Sequence, residues 1–163
     1  MPLEIERKFL VDGDAWRAAA RRRERYAQGY LAGSERCSVR VRLGDGRAWL
    51  GVKGRLSAAT RLEYEYPIPP AEAEELLERL CALGTVEKWR HFVPYAGREW
   101  EVDEFLGDNS GLVVAELELE SEDARFERPA WIGAEVTSDP RYLNTALAQR
   151  PWRTWTEKGG RTA

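Results

Sequence analysis

The sequence predicts an α+β protein built on a closed eight-stranded antiparallel β-barrel, a tunnel with a charged interior and a few flanking helices. Three observations predict it: charged residues recur at every second position along six stretches, each stretch keeps one sign, and the positions between are mostly apolar. The charged positions are Glu4 and Glu6, Arg40 and Arg42, Glu63 and Glu65, Lys88 and Arg90, Glu101 and Asp103, and Glu116, Glu118 and Glu120. A period of two belongs to a strand, so each set leaves its strand on one face. An ordinary sheet with one solvated face alternates in the same way. It would mix its signs, however, because like charges at i and i+2 lie roughly 7 Å apart and repel by about 2 kcal/mol at an effective dielectric of about 20. Acidic strands beside basic ones offset that repulsion, as do bound cations on the acids and a polyanion on the bases. The predicted helices are too few to cover a flat sheet on both faces, whereas closure removes the edges and leaves a lumen for side chains and one small ligand. The charged parity, the more ordered of the two, faces that lumen.

In chain order, a strand is expected near residues 3 to 11, then a short helix with Asp14 as N-cap that runs through Trp16 and Ala20 into Arg21, Arg22 and Arg23, a solvated basic end. Strands follow at about 26 to 32 and 36 to 43, and Gly44-Asp45-Gly46 turns the chain into a hairpin partner ending near Lys53. After a loop over 54 to 59, residues 61 to 68 are extended. Pro69 and Pro70 open a helix with Glu72, Glu74 and Glu75 in its first turns and Leu76, Leu77, Leu80 and Leu83 as its buried stripe. Strands at 85 to 95 and 98 to 106 join across Ala96-Gly97, and a last one spans 113 to 121. A final amphipathic helix covers about 140 to 150, before a tail rich in tryptophan. Trp131, Trp152 and Trp155 are expected to cover the barrel or a partner subunit.

The 163 residues fit one domain over 1–163, and 33% charged with 43% apolar residues excludes a disordered polymer. No segment approaches a membrane span, and the acidic start at Met1-Pro2-Leu3-Glu4 is unlike a signal peptide, so a cytoplasmic protein is expected with no membrane partner. A net charge of −3 argues against a general nucleic-acid binder while allowing a local positive cleft. One histidine and two distant cysteines leave oxygen as the available metal-ligand type. Cys37 and Cys81 are expected to be small buried hydrophobes, and His91, on the parity opposite Lys88 and Arg90, a packed side chain. Neither a GxxxxGK[ST] phosphate loop nor a GxSxG elbow is present.

The opening Glu4-Ile5-Glu6-Arg7-Lys8 is an E-x-E-x-K string, and with it the chain resembles the CYTH family of triphosphate tunnel metalloenzymes. The likeness continues through Q-x-Y-L at Gln28 to Leu31, R-x-R at Arg40 and Arg42, K-G at Lys53, and Arg61 before E-x-E at Glu63 and Glu65. It goes on through K-x-R at Lys88 and Arg90, W-E-V-D at Trp100 to Asp103, A-E-x-E at Ala115 to Glu118, and the E-V-T-x-D-x-R-Y-x-N string ending at Asn144. Gly51, where many members carry threonine, and Leu62, which interrupts a pair of acids, depart from the pattern.

The resemblance implies metal-dependent hydrolysis of inorganic triphosphate to diphosphate and phosphate, chemistry that needs cations around a strongly anionic substrate. Arg40, Arg42, Lys53, Arg61, Lys88 and Arg90 would bind the phosphates, Glu4, Glu6, Glu116 and Glu118 would hold Mg²⁺ or Mn²⁺, and a second ion or the attacking water would lie near Glu63, Glu65, Glu101 or Asp103. The resemblance gives Lys8 and Tyr30 a role in proton transfer, although a barrel tyrosine whose hydroxyl satisfies a polar neighbour reads equally well for Tyr30. Arg7 and Glu120 fit packing or rim pairing. Thiamine triphosphatase would need an aromatic platform, adenylate cyclase an adenine pocket, and a non-catalytic polyphosphate-binding module only the basic strands. Four acids at paired spacing would repel such a module's ligand. Apolar outward positions on many strands suggest a homodimer.

Overall fold

Nine strands form one sheet in the computed structural model, which describes residues 2–155. They are β1 (Leu3–Val11), β2 (Arg22–Gly33), β3 (Cys37–Gly44), β4 (Arg47–Arg55), β5 (Thr60–Ile68), β6 (Thr85–Tyr95), β7 (Arg98–Phe105), β8 (Val113–Glu118) and β9 (Ile132–Glu135). Their order is β5-β4-β3-β2-β6-β7-β8-β1-β9, and β1 also pairs with β5. Eight strands therefore close into the expected antiparallel barrel. The ninth was hidden because its four residues, Ile-Gly-Ala-Glu, are too short to alternate. Phe9 of β1 faces Ala115 of β8 and Glu135 of β9, so β9 takes the edge of β1 opposite β8.

Residues paired across strands point to one face, and the registers bring the charged positions together. Lys8 faces Glu116, Arg90 faces Asp103, Lys53 faces Glu63, and Tyr30 faces Arg40. Two hairpins fix these registers with two-residue turns at left-handed φ: Asp45 and Gly46 (52° and 71°), and Ala96 and Gly97 (48° and 77°). Such turns match the right-handed twist of the flanking strands.

Apolar side chains pack outside the barrel and across one end. The outward face of β1, β6, β7 and β8 buries Phe9, Val93, Trp100, Val102, Ala115 and Leu117 beneath Trp16, Phe126 and Trp131. Trp100 is fully buried and meets Phe9, Phe126 and Trp131 edge-on, with ring centroids 5.6, 5.8 and 5.8 Å apart. A second helix, α2 (Pro70–Arg79), packs Ala73, Leu76 and Leu77 against Val41 and Ala48. At one end of the lumen Leu10, Val86, Phe105 and Val114 meet Tyr142, Leu147, Trp152 and Trp155. These come from a 3-10 turn at Pro140–Tyr142, helix α3 (Asn144–Gln149) and a 3-10 turn at Trp152–Thr154, so the C-terminal segment forms a stopper. The three tryptophans cover the barrel, and the tail beyond Trp155 lies outside the described residues.

Several local expectations are corrected. The first helix, α1, spans only Trp16–Ala19 with Ala15 at its N-cap, and Arg22 and Arg23 belong to β2, where they lie over the rings of Phe92 and Trp89 at 3.6 and 4.0 Å. Leu80 follows the end of α2 and is exposed, so the buried stripe shifts to Ala73, Leu76 and Leu77. Cys37 begins its strand at the rim and is exposed. β8 stops at Glu118, which leaves Glu120 outside it, paired with Arg98 at 3.0 Å. Instead of one helix over 140 to 150, a 3-10 turn and a six-residue helix are separated by Leu143.

Candidate active site

The lumen holds two joined chambers of about 480 and 360 Å³, which share Glu6, Arg40, Lys53, Glu63 and Asn144. Lys8, Tyr30 and Arg61 line the larger, while Glu4, Arg42, Glu65, Lys88, Arg90, Glu101, Glu116 and Glu118 line the smaller. Every candidate site residue named from the sequence faces one of them except Asp103. That carboxylate is fully buried and both its oxygens are taken, one set of bonds coming from Arg90 Nε and Nη2 (2.8 and 2.9 Å) and another from Lys88 Nζ (2.6 Å). The expectation that Asp103 positions metal or water gives way to a counterion locking two cations.

Strand order sorts the lumen by sign. Acids arise from the contiguous arc β7-β8-β1-β5, and most bases from β4, β3 and β6. Contacts between the two walls are made by Lys53, 2.9 Å from Glu4 and 3.1 Å from Glu63, and by Arg90, 2.6 Å from Glu101 and 3.2 Å from Glu116. Lys8 approaches Glu116 at 3.5 Å and Arg40 approaches Glu65 at 3.7 Å. Among the described residues, Arg42 and Arg61 have no carboxylate within ion-pair distance.

The electrostatics follow from this sorting. Burial, then the neighbouring Glu116 and Glu4, pushes the Glu6 carboxyl up to about 8, and burial also lifts Glu101 to about 7. Glu118 is raised by burial and by Glu4 and Glu6. Glu116 moves the other way: burial opposes its ionisation, but Lys8, Arg90 and Lys88 outweigh it and hold the carboxyl well below the usual range. Burial, reinforced by Arg40 and Arg90, lowers Arg42 to about 10. One side of the lumen is thus short of positive charge and the other short of negative charge.

The acidic side fits a hard divalent ion, which takes oxygen ligands. Among the described residues, Glu4 Oε2 is buried and accepts no hydrogen bond, although Lys53 Nζ lies 2.9 Å away and donates to the other oxygen of the carboxylate at 3.3 Å. Among the described residues no three acids, histidines or cysteines are gathered around one point as a metal would gather them, and Lys53 and Arg90 pair with Glu4, Glu63, Glu101 and Glu116.

Two residues outside the predicted set orient the wall residues, Gln28 from behind the wall and Asn144 from within it. Gln28 is fully buried; its Oε1 accepts from Arg42 Nε at 3.0 Å, and its Nε2 donates to Tyr30 Oη at 3.2 Å. Since a guanidinium only donates, the amide orientation is fixed and the Tyr30 hydroxyl hydrogen stays free to point elsewhere. Lys8 Nζ donates to the Tyr142 carbonyl at 3.1 Å, so the contacts of Lys8 and Tyr30 run to other groups, although both line the larger chamber. Asn144 accepts from Lys88 at 3.1 Å. The Q-x-Y-L string and the asparagine ending E-V-T-x-D-x-R-Y-x-N carried the signal for both residues. His91 is packed as expected, edge-on to Trp16 at 4.7 Å and 3.2 Å from Glu104.

Known proteins are similar to this chain in sequence and fold. The chain is 50% identical over 157 residues to an inorganic triphosphatase of Acetivibrio thermocellus, covering 96% of this chain and all of the relative. It is 37% identical over 153 residues to an inorganic triphosphatase of Nitrosomonas europaea, covering 89% of this chain and 96% of that protein. A crystal structure of the inorganic triphosphatase NE1496 matches with a TM-score of 0.67 and 34% identity over 91% of this chain and 96% of that one. The family described as the CYTH domain matches residues 2–150. A barrel lined by opposed acidic and basic arcs and a family match across nearly its whole length lead to one conclusion: this chain belongs to the CYTH domain family.

Proposed function

We propose that this chain is a hydrolase that cleaves inorganic triphosphate to diphosphate and phosphate, with one tunnel domain performing the reaction and a divalent metal ion, Mg²⁺ or Mn²⁺, as cofactor. One observation carries the reading. Among the described residues, the lumen holds a half-buried Arg42 and a buried Arg61 without carboxylate partners, and the Glu6 carboxyl is pushed up to about 8, so it is matched by a ligand that brings both an anion and a cation. A metal-bound condensed phosphate is such a ligand.

Arg40, Arg42, Arg61 and Arg90, with Lys53 and Lys88, neutralise the phosphoryl oxygens from several walls, and their fixed forks hold the chain of phosphates in line. Glu4, Glu6, Glu116 and Glu118 hold the metal, which supplies charge neutralisation and orientation when bound. Glu63, Glu65 and Glu101 orient water at the edge of the acidic arc. Water adds to the terminal phosphorus, the bridging P–O bond breaks, and the electron pair leaves with the diphosphate. A carboxylate among Glu63, Glu65 and Glu101 takes the proton released from that water, and Lys8 and Tyr30, at the larger chamber, donate toward the oxygen of the leaving diphosphate. The names of the relatives support inorganic triphosphate as substrate. We further read the protein as cytoplasmic and dimeric, the latter supported by exposed Leu3, Tyr64 and Tyr66 on the outward face of β1 and β5 (48, 41 and 56% accessible).

Phosphate release from tripolyphosphate, ATP and thiamine triphosphate with each metal tests the reading. Turnover is expected to be fastest on tripolyphosphate, and none on that substrate would refute it. A glutamine scan at Glu4, Glu6, Glu116 and Glu118 separates enzyme from binder: lost turnover with retained anion binding is expected.

A further inference from the structure

One lumen contact comes from outside the barrel. Asn144 opens α3 in the C-terminal stopper, yet its side chain reaches the wall shared by the two chambers. Its Oδ1 accepts a hydrogen bond from Lys88 Nζ at 3.1 Å. An ammonium can only donate, so the carboxamide has one chemically allowed orientation, with oxygen toward Lys88 and the NH₂ turned away from it. Lys88 cannot follow a moving partner, because it is itself fully buried and held by Asp103 at 2.6 Å. Two residues earlier, the carbonyl of Tyr142 accepts from Lys8 Nζ at 3.1 Å. The segment bearing Asn144 is therefore fastened to the lumen at two points, each by a lysine of the tunnel. Among the described residues the Asn144 NH₂ donates to no protein acceptor, while the residue remains accessible to the chambers.

We propose that Asn144 is a substrate-contacting residue whose NH₂ group donates a hydrogen bond to a phosphoryl oxygen where the two chambers meet. The inference deepens the triphosphatase reading and rests on it for the identity of the anion. A neutral donor suits the position. Lys88 Nζ lies 3.1 Å from the carboxamide, and a cation at 144 would repel it, whereas a carboxamide adds a donor without adding charge. If the only task at 144 were to hold Lys88, a carboxylate would do it better, since an ionised acceptor binds an ammonium more strongly than an amide oxygen does. An amide gains over aspartate only by what its nitrogen does.

That contrast supplies the test. Steady-state kinetics on tripolyphosphate are measured for wild type, Asn144→Ala and Asn144→Asp, with thermal melting of each. Loss of a hydrogen bond to a charged phosphate predicts a KM raised about tenfold or more in Asn144→Ala. Asn144→Asp keeps an oxygen on Lys88 but turns an anion toward the substrate, so its kcat/KM falls below that of Asn144→Ala. Aspartate performing like wild type, or better than alanine, overturns the inference and leaves Asn144 as a support for Lys88. Should Asn144→Asp fail to fold, Asn144→Ala is placed in a Lys88→Met background. A further rise in KM there supports direct contact, and no further effect overturns it. Calorimetric titration with tripolyphosphate separates this inference from the broader reading. A wild type that binds the anion more tightly than Asn144→Ala without hydrolysing it keeps the contact and refutes the triphosphatase; equal binding by an active wild type and Asn144→Ala refutes the contact alone; and a wild type that neither binds nor hydrolyses refutes both.

Discussion

Replacing Glu6 by glutamine should make the metal-free protein more stable at pH 8. The folded chain keeps the Glu6 proton up to about pH 8, whereas the ordinary value for a glutamate is 4.5. The stability contributed by this group is therefore complete below about pH 4.5 and is lost as pH rises through about 8. At pH 8 the loss integrates to about 4 kcal/mol, and contact with water in the lumen reduces it to roughly 2 kcal/mol. For a chain of this size that corresponds to about 4–8 °C in melting temperature. Melting curves in chelator should show wild type weakening from pH 5 to pH 8, with a residual slope from Glu101, and Glu6→Gln losing most of that slope and melting higher at pH 8. Adding Mg²⁺ or Mn²⁺ at pH 8 should raise the wild type strongly and the variant little, since metal binding requires the ionised carboxylate. A variant that melts at or below wild type at pH 8 in chelator would show that Glu6 does not sit in a cation-poor cluster, and the electrostatic basis for the metal site would fall with it.

Four other outcomes are expected. Asp103→Asn leaves Lys88 and Arg90 buried without their shared counterion, and chemical denaturation should show a loss of about 3–5 kcal/mol. Arg42→Gln should weaken tripolyphosphate binding about tenfold to a hundredfold by calorimetry without lowering metal-free stability, because burial and the nearby Arg40 and Arg90 already disfavour its charge. Trp100→Ala empties the space between Phe9, Phe126 and Trp131, and urea titration should register a cost of about 3–5 kcal/mol. Gly29→Ala would set a Cβ 2.3 Å from Cys81 Sγ and 2.9 Å from Cys81 Cβ, so the turn after α2 must move off β2, at about 1–3 kcal/mol in the same assay.

The barrel was legible because alternation and sign together defined a face. Glu4, Glu6 and Lys8 leave β1 on the side that Glu116 and Glu118 leave β8, and a one-residue slip would have exposed every one of them to the outside. The motifs likewise announced the lumen residues, and fifteen of the sixteen candidate positions face a chamber. What pattern could not supply was partnership. Asp103 shares the alternation of Glu101, yet its neighbours Lys88 and Arg90 consume both oxygens, a fact set by the β6–β7 register and invisible in one strand. Gln28 and Asn144 are uncharged, so a search keyed to charge passed over them although their hydrogen bonds orient Arg42, Tyr30 and Lys88. Arg22 and Arg23 looked like a helix end because their role is to lie over aromatic rings of β6, a contact between segments far apart in sequence.

β1 precedes in sequence every strand it pairs with: it touches β5, β8 and β9, the last of them through Phe9 and Glu135. Until those later segments have been synthesised, its edges and the greasy side bearing Phe9 wait without partners. Folding of this chain is consequently a late, long-range event, slow by the measure of sequence separation and open to aggregation while incomplete. Truncation just before Ile132 would remove a partner of β1, and so a lesion at β9 would strike a strand more than a hundred residues before it.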